Sequence, residues 1–171
     1  MPVVTEEPPR WLSAEEMQAW RALLGVIMWL PPALDAQLRR DAGLAHFEYA
    51  LLAQLSMSPG DRARISDLAV LANGALPRVS KVLDRFEQRG WLTRTPDPSD
   101  GRYTLAVLTA QGRAVVERSA PGHVEHVRGL VFDRLTPAQV RQLTRIADAV
   151  GRAVRPEPNP THTARTAPEE P

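Results

Sequence analysis

Between Pro77 and Thr109 the chain changes its hydrophobic period, and few folds accommodate that change. In "PRVSKVLDRFEQRG", Val79, Val82, Leu83 and Phe86 fall at i, i+3, i+4 and i+7, the buried face of an amphipathic helix. Pro77 suits the first helical turn, and Gly90 lies just past the last one. Beyond Gly90 the apolar positions alternate. "WLTRT" and "RYTLAVL" read as strands of a hairpin closed by a turn-rich, charged tip, "DPSDG".

The flanking segments extend this pattern to a mainly α chain. Ser13 and Glu16 form a capping box that opens a first helix, with Met17, Trp20, Leu23, Leu24, Ile27 and Met28 at helical spacing. Pro31 and Pro32 are expected to kink or break it, with a helix resuming from Ala33 to Arg40 and ending at Gly43. "HFEYALLAQLSMSPG" is a second helix, with Phe47, Ala50, Leu51 and Leu55 on one face. Arg64 and Ile65 form a short extended piece, and Ser66 is expected to cap the brief helix "SDLAVLA". Two long helices follow the hairpin. Thr109 to about Phe132 is the first, loosened by Pro121 and Gly122. Thr136 caps the second, with Pro137 and Gln139 behind it, and it runs to about Val154. The fold class is therefore mainly α with a small β-hairpin wing: a helix-turn-helix, then a two-stranded wing, between long helices.

Both ends are rich in proline and poor in apolar residues, which leaves too little surface to bury against the entropy of ordering. Residues 1–12 are expected to be flexible and 155–171 disordered, around a folded region at 13–154. The opening "MPVVTEEPPR" lacks the basic and apolar regions of a signal peptide. The longest apolar stretch, Leu23 to Leu34, is too short and too interrupted to span a bilayer. These features point to a cytoplasmic protein with no membrane partner.

Composition removes several chemistries. The chain has no cysteine, so disulfides, thiolate nucleophiles and cysteine zinc sites are excluded. His123 and His126 stand at i, i+3, a weak metal signal better read as ordinary packing or surface histidines; no metal or cofactor is implied. Net charge is only +1, so any nucleic-acid site must come from local placement of cations.

That placement is found on the helix from Pro77 to Arg89. Opposite its buried face lie Arg78, Ser80, Lys81, Asp84, Arg85 and Gln88. A helix of this size fits a DNA major groove, where Arg or Lys can reach guanine O6 and N7. Arg78 and Lys81 are the first candidates for base edges, with Ser80 weaker at the margin of the arc. Arg85, Gln88 and Arg94 suit the sugar–phosphate backbone. At the hairpin tip, Arg102 can enter a narrow minor groove, its guanidinium oriented by Asp100. The competing reading is a solvated charged helix and a surface ion pair between Arg102 and Asp100 of small structural value.

At this point the sequence resembles the MarR family of bacterial transcription regulators. The resemblance covers roughly Trp11 to Val154 and is strongest in "LDRFEQRGWLTRTPDPSDGRYTLAVLTAQGR". "FEQRGWLTR" is similar to the family's exit from the helix, Asp100 and Arg102 to its "D-x-R" wing, and Leu108, Thr109 and Gly112 to its "LT-x-x-G" entry into the next helix. The resemblance implies a winged helix-turn-helix at about 47–108 and dimerisation helices at about 13–40 and 109–154. It also implies a homodimer on a pseudo-palindromic operator and, in many members, a small aromatic or anionic effector. Family members usually carry a polar residue, often serine, just before this helix. Here Ala75, Leu76 and Pro77 stand instead, which removes a cap and a phosphate contact.

The expected function is thus a DNA-binding transcriptional regulator, a repressor. The alternative is a winged-helix protein–protein module, favoured by near-neutral charge and by Asp84 and Glu87. An enzyme is disfavoured, since no phosphate-cradling glycine motif and no plausible set of catalytic residues occurs.

Overall fold

A computed structural model of the chain describes residues 9–154. The expectations for residues 1–8 and 155–171 lie outside the described residues. The chain divides into two compact units, one up to Arg128 and one from Gly129 onward.

The first unit opens with α1 (Ala14–Ala42), whose start carries the expected capping box: Glu16 N–H donates to Ser13 Oγ at 3.2 Å, and Ser13 N–H donates to Glu16 Oε2 at 2.8 Å. Gly43 ends it in the left-handed region at φ 65°, with its N–H returned to the last turn. The predicted break at Pro31 and Pro32 does not occur; both prolines lie inside one continuous helix. Pro31 and Pro32 leave the carbonyls of Ile27 and Met28 without their helical donors. Those two residues lie on an exposed stretch, where water can satisfy the acceptors.

After α2 (His46–Met57) come β1 (Arg62–Arg64), α3 (Ile65–Leu71) and α4 (Leu76–Gln88). Ser66 is not the cap of α3. Arg64 holds that position, and Ser66 sits one residue inside the helix with its hydroxyl on Asp67. The wing is β2 (Leu92–Asp97) and β3 (Asp100–Leu108), antiparallel. The sequence predicts a two-stranded hairpin, but β1 pairs with β3 on its other side, giving a three-stranded sheet in the order β1-β3-β2. The strand was too short to show a period, so its pairing was invisible in sequence.

One core joins these elements. Val79, Val82, Leu83 and Phe86 of α4 are all buried, as their spacing requires. They pack with Leu51, Leu52 and Leu55 of α2, Leu68 of α3, Leu92 and Leu108 of the sheet, and Val115 and Val116 of α5 (Ala110–Leu130). On α2, Leu51 and Leu55 are buried as predicted, together with Tyr49 and Leu52, whereas Phe47 and Ala50 are half-buried. α5 runs unbroken through Pro121.

The second unit holds the end of α5, a short 3-10 turn at Phe132–Arg134, and α6 (Pro137–Val154). Thr136 and Gln139 make the predicted box: Gln139 N–H donates to Thr136 Oγ1 at 3.3 Å, and Thr136 N–H donates to Gln139 Oε1 at 2.8 Å. On α6, Leu143, Ile146 and Val150 fall on one face by their spacing, and all three are exposed. Among the described residues no helix is long and apolar enough to cross a membrane.

Candidate nucleic-acid interface

The buried face of α4 fixes which residues face outward. Arg78, Lys81, Asp84, Arg85 and Gln88 are exposed and Ser80 is half-buried. Their partners separate them into two groups. Arg78 has no carboxylate partner among the described residues; its guanidinium lies 4.1 Å over the ring of Phe47, which holds it in place without neutralising it. Lys81 makes no ion pair among the described residues. Two cations thus stand open on the first turns of α4.

Arg85 and Arg94 are engaged. Arg85 is bonded to Glu48 of α2, whose other oxygen accepts the N–H of Ala45 at 2.8 Å. This ties α4 to the start of α2. Arg94 of β2 is folded against α4: its Nη1 lies 2.6 Å from Asp84, and its Nη2 donates to the carbonyl of Ser80 at 3.0 Å. Its Nε is buried without a hydrogen-bond partner, with Glu87 3.8 Å away. Two of the three residues expected at the DNA backbone, Arg85 and Arg94, therefore strap the helix to its neighbours. Gln88 remains exposed near the end of α4.

At the wing tip, Arg102 Nε donates to Asp100 Oδ1 at 3.0 Å and Nη2 to Oδ2 at 2.8 Å, a two-point pair. The Arg102 N–H also donates to Asp100 Oδ1 at 3.2 Å. The side-chain and then the backbone hydrogen bond of Arg102 hold the Asp100 carboxyl down at about 2, so it stays ionised. The Arg102 side chain remains 85% exposed. A fixed, charged and accessible guanidinium is the result.

One residue that positions the wing was missed from sequence. Arg64 of β1 donates from Nε to Asp97 Oδ2 at 2.6 Å, and its guanidinium lies 4.2 Å over the ring of Tyr103. Asp97 is buried, and also accepts from the Ser99 hydroxyl at 2.7 Å and the Ser99 N–H at 2.8 Å. Those Ser99 bonds, with Arg64 behind them, lower its carboxyl to about 2. The tip end of the wing is thereby clamped to β1. The unusual content of acid and serine in "PDPSD" was the available signal; the partner 33 residues earlier was not visible.

The motifs at the ends of β2 and β3 meet in space. Thr109 N–H donates to the carbonyl of Trp91 at 3.0 Å, and Thr109 Oγ1 donates to the carbonyl of Gly90 at 2.7 Å. The same hydroxyl accepts the Gly112 N–H at 3.1 Å, capping α5. A Cβ on Gly112 would stand 2.0 Å from the Trp91 carbonyl oxygen, so only glycine fits. These residues set the angle between α4, the wing and α5.

Among the described residues no group of three or more His, Asp or Glu side chains is placed to hold a metal ion. The His123 ring packs at a tilt against Tyr49, with ring centroids 4.7 Å apart, and its Nδ1 lies 3.1 Å from Gln37 Oε1.

The match to known proteins agrees with this geometry. The MarR family model matches residues 44–104. The HTH-type transcriptional repressor Rv2887 of Mycobacterium tuberculosis is 34% identical over 122 residues, 71% of this chain and 85% of that protein. The chain belongs to the MarR family. This makes it a transcriptional regulator and not an enzyme, with a winged helix-turn-helix in which α3 and α4 are the two helices and β2–β3 the wing. Two solved MarR family regulators from Streptomyces coelicolor have the same fold. Sco3205, solved in complex with DNA, is 43% identical with a TM-score of 0.82, covering 89% of this chain and 95% of its own. AbsC is 35% identical with a TM-score of 0.80, covering 86% and 99%.

Proposed function

We propose that this MarR family member acts as a homodimeric repressor, binding a pseudo-palindromic double-stranded operator and leaving it when a small aromatic or anionic effector binds. The observation that carries the DNA reading is the pairing of two open cations on α4, Arg78 and Lys81, with a rigidly presented Arg102 on the adjacent wing. Arg78 and Lys81 read base edges in the major groove, with Ser80 beside them. Arg85, Gln88 and Arg94 approach the backbone, and Arg102, oriented by Asp100, enters the minor groove. Support for the dimer comes from the exposed apolar residues of α1 (Val26, Ile27, Met28, Trp29) and α6 (Leu143, Ile146, Val150), more than a lone chain ordinarily leaves to water. The DNA complex of Sco3205 supports the choice of DNA as the partner. The operator's two half-sites are then one helical turn apart. Support for the effector is the family pattern and the similarly folded CouR from Rhodococcus jostii RHA1, which was solved bound to p-coumaroyl-CoA.

The test is a fluorescence-anisotropy titration of the protein against the duplex upstream of its own reading frame and against a scrambled duplex, at two salt concentrations. Tight, salt-sensitive binding that prefers the upstream duplex is expected. Equal and weak binding to both would overturn the reading.

A further inference from the structure

α4 begins with an apolar edge that the core does not use. Ala75, Leu76 and Pro77 are all exposed, Leu76 to 51%, whereas the buried face of the helix is complete with Val79, Val82, Leu83 and Phe86. Ala75 caps nothing with its side chain. A serine or aspartate there would satisfy a backbone N–H at the helix start. The helix therefore forgoes a cap and exposes hydrocarbon at its leading end. Pro77 lies one turn before Lys81 on the outer arc, and Leu76 stands at the margin of that arc. Arg78 and Lys81, the two open cations, follow directly.

In helix-turn-helix proteins the first residues of the recognition helix meet the base edges. In the major groove only thymine offers an apolar group, its C5 methyl, and apolar side chains recognise it by contact. We propose that Leu76 and Pro77 form a thymine-reading edge, so that each operator half-site carries thymine methyls beside the base pairs met by Arg78 and Lys81. This rests on the DNA-binding reading above. It also turns the missing polar residue into a specificity device: direct methyl contact replaces a sequence-blind phosphate contact.

The experiment begins with selection of tight-binding duplexes from a random library by the full-length protein. Each thymine of the selected site is then replaced in turn by deoxyuridine, which removes only the methyl. The expected result is a loss of about fourfold in affinity per methyl at one or two positions in each half-site. The doubly substituted Leu76→Ser, Pro77→Ser protein, checked for native circular dichroism, is expected to lose nothing further at those positions. Should that variant fail to fold, Leu76→Ala and Pro77→Ala take its place. Uniform tolerance of deoxyuridine by the wild type overturns the inference, as does an equal deoxyuridine penalty in wild type and variant. If selection yields no duplex preferred over scrambled DNA, the DNA-binding reading falls as well. Specific binding without methyl dependence removes the thymine edge alone.

Discussion

Arg102 and Arg94 have the same side chain in opposite situations. Arg102 is paired on one side and 85% exposed on the other. Arg94 is mostly covered and spans from β2 to Asp84 and Ser80 of α4. An exposed ion pair adds little to stability. Arg102→Ala is therefore expected to leave the unfolding midpoint within about 0.5 kcal/mol of wild type. It should weaken DNA binding on the order of tenfold at fixed salt. Unchanged affinity would return Arg102 to a surface pair. Asp97 carries a different expectation. Its carboxyl is lowered from the ordinary 3.8 to about 2 by Ser99 and Arg64. A depressed carboxyl stabilises the fold in full above its unfolded value, and that contribution is lost as pH falls through the folded one. Asp97→Asn should thus lower the melting temperature at neutral pH and flatten its decline between 3.8 and about 2. Parallel acid limbs for the two proteins would count against the clamp. Asp100 and Arg102 were legible because they are two residues apart; Arg64 and Asp97 were not, because folding brings them together.

At the scale of elements, periodicity and caps located nearly every helix, since both are local chemistry. Ser13 with Glu16, Thr136 with Gln139, and the four buried residues of α4 stand where spacing put them. The double proline misled because the penalty of a proline depends on who satisfies the carbonyls it abandons. The short extended piece at Arg64 was legible, but its pairing with β3 was not, because three residues cannot show alternation. The junction of wing and α5 depends on Gly112, pressed on the Trp91 carbonyl. Gly112→Ala is expected to force α5 away from β2 and cost about 1–3 kcal/mol, read as a lower denaturation midpoint. A midpoint equal to wild type would mean the contact relaxes freely.

For the molecule as a whole, the apolar residues exposed on α1 and on α6 are surface that association could bury. Under the proposed dimer, Leu143→Asp places a carboxylate in an apolar contact and should weaken association on the order of a hundredfold. Light scattering at micromolar concentration would then report a monomer; a mass that stays dimeric would place the interface elsewhere. DNA affinity should fall with it, because two half-sites bound together hold far more tightly than one.

The sequence alone determined the helical and alternating segments, their caps and turns, and the local constellations: an outward arc on α4, a paired Asp100 and Arg102, a Leu108–Thr109–Gly112 entry to α5. All of these depend on neighbours within one or two turns, and spacing expresses such neighbours directly. Only the tertiary structure decided which cations stay open. Among the described residues Arg78 and Lys81 remain without carboxylates, while Arg64, Arg85 and Arg94 meet acids or carbonyls supplied by other elements. A charge is free or neutralised according to what folding brings within a few ångströms, and residues distant in the chain leave no trace of that approach in sequence spacing.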